Sequence, residues 1–192
     1  MEPIAEKKKL ILESALGLIK DHGFHGCPMS TMAKNAGVAA GTIYTYFDSK
    51  DELIRELYFY TIGVVHTHMT ECEDRSLDFK ERFYNYWKCL TQLYLDRPEI
   101  QRFFEQFIIS PFNTSEIQSQ HSLWHEWNTG FFEEGIRKGY LKNLSPDVLF
   151  FMVIGTVNVT VRVRQGMSAQ IIEKGIDINQ LAEMTWDAIK KQ

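Results

Sequence analysis

Residues 35–53 read NAGVAAGTIYTYFDSKDEL. Three small residues, Ala39, Ala40 and Gly41, stand directly before a run crowded with hydroxyls: Thr42, Tyr44, Thr45 and Tyr46. Ile43 and Phe47 are four apart, so on a helical segment they share one face and the hydroxyl-bearing side chains point elsewhere. Hydroxyls beside residues too small to obstruct a neighbour suggest a surface that touches something polar. Downstream, Ser49 followed by Glu52 is a capping box that opens a helix through Leu53, Leu57 and Tyr60 toward His68. Upstream, Pro28 suits a first helical position, Met29, Met32, Ala33 and Ala36 fall on one face, and Gly37 stands where a left-handed cap is wanted. Before that, Ile11, Ala15, Leu18 and Ile19 recur at helical spacing between Lys7 and His22, and Gly23 stops the pattern.

The same periodicity continues to the C-terminus. It predicts helices over 77–95 ended by Pro98, 99–109 ended by Pro111, 115–138 ended by Gly139, from Ser145-Pro146 to Gln165, and from Ile178 to Lys190. Thr156–Val163, TVNVTVRV, alternates like a strand and is rich in β-branched residues. A lone strand would have no partner, so the stretch is read as helix. The expected fold class is all-α: a three-helix helix-turn-helix domain over residues 1–50, then a larger helical domain over 51–192, whose expected roles in ligand binding and dimerisation rest on the aromatic residues and apolar stripes described below.

The chain has 192 residues, 44% of them hydrophobic, enough for a sizeable core. The net charge is −4, which argues against coating nucleic acid by charge alone. Yet residues 1–50 hold six lysines against five acidic residues, so the acidic excess lies in the remainder. No apolar run of about 18 or more residues reads as a membrane span, and the charged start MEPIAEKKKL does not resemble a signal peptide, so a cytoplasmic address is expected. Cys27, Cys72 and Cys89 are far apart and read as reduced packing residues. His68/Cys72 and His121/His125 each stand four apart but lack further ligands at suitable spacing, so no metal is expected. No nucleophile elbow or phosphate loop appears, which leaves no catalytic residues and no cofactor.

Two short helices joined across Gly37-Val38-Ala39-Ala40 have the dimensions of a helix-turn-helix whose second member enters a major groove N-terminus first. The run MAKNAGVAAGTIYTYFDSKDEL, with GFHG before Pro28, resembles the signature of the tetracycline-repressor (TetR) family of bacterial transcription regulators over roughly residues 7–57. The resemblance implies DNA contacts by Ser30 and Thr31, by Ala40, Gly41, Thr42, Tyr44 and Tyr46, and by Lys50. Lys50 and Tyr46 would hold phosphates, while Ala40, Gly41, Thr42 and Tyr44 would lie closest to the bases. With few long donors on that face, thymine methyls and DNA shape would carry much of the discrimination.

Of the aromatic residues only Phe24, Tyr44, Tyr46 and Phe47 precede residue 55. An aromatic-rich helical domain can enclose an apolar pocket, and Trp87, Phe104, Trp127 and Phe131 are its candidate lining. Phe150, Val153, Val157 and Val161 form one apolar stripe of the 146–165 helix, and Phe151, Ile154 and Val159 lie partly on another. Apolar residues on two sides call for both a core and a partner, so the first stripe, with Leu181, Met184 and Ala188 of the last helix, is the expected interface of a homodimer. The functional expectation is a repressor on a palindromic double-stranded DNA operator, released by a small apolar or aromatic effector. The alternative is a helical small-molecule-binding protein without DNA control.

Overall fold

The computed structural model describes residues 6–120, 122–167 and 177–192. The helices are α1 (Glu6–His22), α2 (Met29–Asn35), α3 (Lys50–Cys72), α4 (Phe79–Asp96), α5 (Pro98–Ile108), α6 (Ser115–Ser119), α7 (Leu123–Arg137), α8 (Pro146–Arg162) and α9 (Ile178–Ile189). A 3-10 turn, Thr42–Thr45, lies between α2 and α3, and a π turn, Val163–Met167, follows α8. Among the described residues the only strand-like pairing is an isolated bridge between Leu141 and Lys190.

The chain packs as two units, Met1–Ile62 with Arg97–Gln120, and Gly63–Asp96 with His121–Gln192. The division therefore differs from one after residue 50: the first turns of α3, and α5 with α6, group with the N-terminal helices. In the first unit Arg97 donates to Glu13 of α1 at 2.7 Å, and the Tyr60 hydroxyl donates to the other oxygen of that carboxylate. Gln106 donates to the Ile19 carbonyl at 3.1 Å, so polar groups as well as Phe103 and Phe107 hold α5 in place.

In the second unit α4, α8 and α9 meet around the fully buried Trp87, whose indole donates to Thr156 at 3.0 Å. The Thr185 hydroxyl stands 2.9 Å from the same oxygen. Thr156 and Thr160 also bond to Val153 and Thr156 carbonyls one turn back, at 2.8 and 2.7 Å. Those bonds satisfy both hydroxyls within the helix, and the buried face of Val153, Val157 and Val161 is what holds 156–162 helical despite its alternating pattern. Gly135 permits a close approach: a methyl there would stand 2.4 Å from the Phe79 ring.

Three expectations about elements and pairing are corrected. The second short helix expected after Ala40 is a 3-10 turn of four residues, Thr42–Thr45, whereas Pro98 follows the end of α4 at Asp96 and opens α5, where a first-turn proline loses no hydrogen bond. The 115–138 helix is divided, with Ser122 capping the amide of His125 at the start of α7. Cys72 and Cys89 are joined as a disulfide between α3 and α4, with Cα atoms 6.5 Å apart, while Cys27 is free and buried. A spacing of 17 residues carries no local signal; the turn between the two helices brings the sulfurs together.

Buried Arg82 of α4 pairs with Glu73 at 2.5 Å and with Glu134 of α7 at 2.8 and 3.1 Å. Hydrogen bonding from Arg82 holds the Glu134 carboxyl down at about 2, against an ordinary 4.5. A depressed carboxyl stabilises the fold above its unfolded value, and that contribution is lost as pH falls from about 4.5 toward 2. Glu134→Gln is expected to cost on the order of 2 kcal/mol at neutral pH, since it leaves Arg82 short of a partner. Urea unfolding from pH 7 to pH 2 should then show a flatter acid limb in the variant than in the parent.

Candidate nucleic-acid interface and effector cavity

The site is built on a short turn that its neighbours hold in place. Gly37, at φ 71°, ends α2, with the amides of Gly37 and Val38 bonded to the Lys34 and Ala33 carbonyls at 3.1 and 3.0 Å. Thr42 then bonds to the Ala39 carbonyl at 2.8 Å and opens the 3-10 turn. Ile43 and Phe47 are fully buried, whereas Tyr44 is 57% exposed. Ala39, Ala40, Gly41 and Thr45 are exposed with it, Thr42 and Tyr46 are half-buried, and Ser30 and Thr31 lie exposed on α2. Seven of the eight expected DNA-contact residues thus lie on α2 or on the turn and its immediate flanks, five of them exposed.

The eighth is tied down. The Lys50 ammonium donates to the Phe24 carbonyl, so the residue braces the end of α1 against the start of α3. Its remaining two N–H bonds are available to a phosphate. The α3 start is capped by Ser49, which accepts from the Glu52 amide at 3.1 Å, while Glu52 accepts from the Asp48 amide at 2.6 Å. Pro28 stands at the α2 N-cap without a side-chain cap bond, and Ser14 of α1 instead secures that helix by donating to the Met32 carbonyl at 2.8 Å. Lys8 pairs with Glu56 at 3.2 Å and lies over the Phe47 ring, which leaves Lys7 and Lys9 as the exposed bases at the start of α1.

The four candidate pocket aromatics separate. Trp127 and Phe131 of α7 line a cavity of about 10 Å³ with Met69, Arg82 and Tyr86. Trp87 sits in the core on Thr156, and Phe104 belongs to the first unit beside Tyr58 and Phe103. Tyr86, Trp127 and Phe131 stack nearly parallel, with centroids 5.0 to 6.2 Å apart. Burial pushes the Tyr86 hydroxyl well up, and it donates to Asn128 at 2.5 Å. The Arg82 guanidinium lies 5.8 and 5.5 Å from the Phe79 and Phe131 rings, and its buried Nε–H has no partner in the structure. Sequence reasoning passed over Arg82. Its signal was a charge within the apolar stripe Phe79, Phe83 and Tyr86. His121 lies outside the described residues, and no group of three or more metal-ligating side chains occurs among the described ones.

On α8 the expected interface stripe is corrected. Val153, Val157 and Val161 are fully buried in their own unit and cannot reach a second copy. Phe150 is half-buried against Trp124 and Phe132. The outward stripe is Val148, Phe151, Met152 and Val159, with Phe151 66% exposed. On α9, Leu181 is half-buried, while Met184 and Ala188 are exposed. The segment Pro146–Gly166 is long and apolar enough to cross a membrane by length and composition, since both of its stripes are apolar.

Comparison with known proteins follows this division of labour. Residues 11–57 match the model of bacterial regulatory proteins of the tetR family, and residues 78–190 match a tetracyclin repressor-like C-terminal domain. An uncharacterized HTH-type transcriptional regulator of Haemophilus influenzae is 27% identical over 177 residues, 91% of this chain and 90% of that protein. The Bacillus subtilis HTH-type regulator YhgD is 28% identical over 151 residues, 78% of this chain and 79% of its own. The crystal structure of a TetR family transcription regulator from Marinobacter aquaeolei superposes with a TM-score of 0.85 at 26% identity, covering 97% of this chain and 96% of that one. Matched by family models in both its N-terminal and its C-terminal part, the chain belongs to the tetR family of bacterial regulatory proteins.

Proposed function

We propose that this regulator is a cytoplasmic homodimeric repressor, released from a palindromic operator by a small apolar or aromatic effector. The observation that carries the DNA reading is the exposed Ala40, Gly41 and Tyr44 with the half-buried Thr42 between them, presented by a turn whose Ile43 and Phe47 are buried. Small residues let the backbone come close to base edges, and the hydroxyls bond to bases or phosphates. Tyr44→Ala should weaken binding to the chain's own promoter DNA at least tenfold while leaving thermal unfolding unchanged. Lys50→Ala should flatten the log–log salt dependence by about one unit and also cost about 1 kcal/mol of stability, because the bond to Phe24 is lost. Gel shifts across a salt series check both. Unaltered affinity in both variants, or no salt-dependent binding by the parent, favours a small-molecule-binding protein without DNA control.

For the effector, the parallel Tyr86, Trp127 and Phe131 rings supply faces on which a flat apolar molecule can stack. The cavity has room for about one water, so an effector binds a conformer in which these walls have parted. It acts only by its difference in affinity between the two states. Trp127→Ala should therefore impair effector-induced release by tenfold or more and DNA binding by less than about twofold, as read by operator fluorescence anisotropy.

The outward α8 stripe supports the dimer reading, since apolar surface of this kind is favourably covered by a second copy. A single short reading turn also covers few base pairs, so two half-sites are required for selectivity. Sedimentation at micromolar concentration should give a dimer for the parent. Phe151→Asp should give a monomer of 22.4 kDa with normal helix content. A monomeric parent removes the proposal.

A further inference from the structure

We propose that Cys72 and Cys89 form a reversible dithiol–disulfide couple, closed by a peroxide-class oxidant, that ties α3 to α4 beside the aromatic cavity. The Cα atoms stand 6.5 Å apart, within the range a disulfide spans without backbone movement. Both residues are half-buried and so open to small oxidants and reductants, whereas Cys27 is fully buried. One turn before Cys72, an imidazole nitrogen of His68 lies 3.7 Å from its sulfur, placed to take the thiol proton. The Cys72 side chain also lines the cavity that holds Arg82, Tyr86 and Trp127. A regulator that works on DNA meets a reducing thiol pool, where a disulfide is made and unmade instead of serving as a permanent brace. To that extent the inference rests on the DNA-binding reading.

The step balances as follows. Cys72 gives its proton to His68, and the thiolate sulfur attacks one peroxide oxygen. The O–O bond breaks, an S–O bond forms, and the released hydroxide takes the proton from His68 as the first water. The Cys89 sulfur then attacks the Cys72 sulfenic sulfur. The S–O bond breaks as the S–S bond forms, and the hydroxyl leaves with the Cys89 proton as the second water. Two electrons pass from the sulfurs to the peroxide.

The test uses the full-length protein reduced with dithiothreitol, freed of it without air and treated with an equimolar amount of hydrogen peroxide. Non-reducing peptide mapping should recover a Cys72–Cys89 cross-link with Cys27 still a thiol, and Cys72→Ser or Cys89→Ser should abolish it. In mixtures of reduced and oxidised glutathione the pair should pass from dithiol to disulfide within the range of the buffer. The melting temperature should fall by about 5 °C on reduction of the parent and not of Cys72→Ser. His68→Ala should give the same product at a roughly tenfold lower rate near neutral pH. A pair that stays oxidised in the most reducing mixture, or stays reduced after peroxide, overturns the couple, and an unchanged rate in His68→Ala overturns the role of the histidine. These readouts use thiols and not DNA, so failure here is distinguishable from failure of the operator assignment.

Discussion

Burial of Ile43 and Phe47 is the constraint on which the proposed DNA-reading surface depends. A four-residue 3-10 turn cannot sustain itself, because fixing its dihedrals costs more than its few hydrogen bonds return. Two fully buried side chains supply about 1.5–3 kcal/mol each, enough to hold the turn in one orientation. Their four-residue spacing sends Tyr44 and Thr45 outward. Gly37 sets the direction from which the chain enters the turn, since its left-handed backbone closes α2. The exposed hydroxyls are thus a consequence of what is buried beneath them.

The second unit shows the same dependence on neighbours, with charge in place of apolar packing. Arg82 stands where an apolar residue would ordinarily be, and Glu73 and Glu134 together make its burial tolerable. Lys138 adds a second contact to Glu134 at 2.7 Å. The indole of Trp127 donates to Glu73 at 3.2 Å, so the ion cluster positions the aromatic wall of the cavity. Ring geometry and charge pairing there are one arrangement.

Helix positions were largely legible because each signal was local. The Ser49/Glu52 cap, the Gly37 stop, the Ser145-Pro146 start and the helical spacing of Ile11, Ala15 and Ile19 all act within one or two turns. The break between α6 and α7 was missed because residues 115–138 keep enough helical character throughout, and only the cap at Ser122 marks the interruption. Lys50 was legible as a basic residue at a helix start but not as a brace, since Phe24 lies 26 residues earlier. Trp87 and Trp127 looked alike as pocket candidates. Thr156 draws one into the core, and Glu73 draws the other to the cavity wall.

The sequence by itself determined the all-helical class and which side chains around residues 42–47 are buried, because periodicity and caps are properties of adjacent residues, although it read the 3-10 turn Thr42–Thr45 as a second helix. It also showed that α8 is apolar on two sides. Which side is the core, it could not say: Val153 and Phe151 both satisfy the apolar pattern, and only the packing of α4, α7 and α9 places Val153 within and leaves Phe151 outside. The Cys72–Cys89 pairing, the partners of Arg82 and the membership of α5 in the first unit were likewise decided only in three dimensions. Each joins residues on different helices, and the energy of such a contact depends on distances that no local pattern encodes.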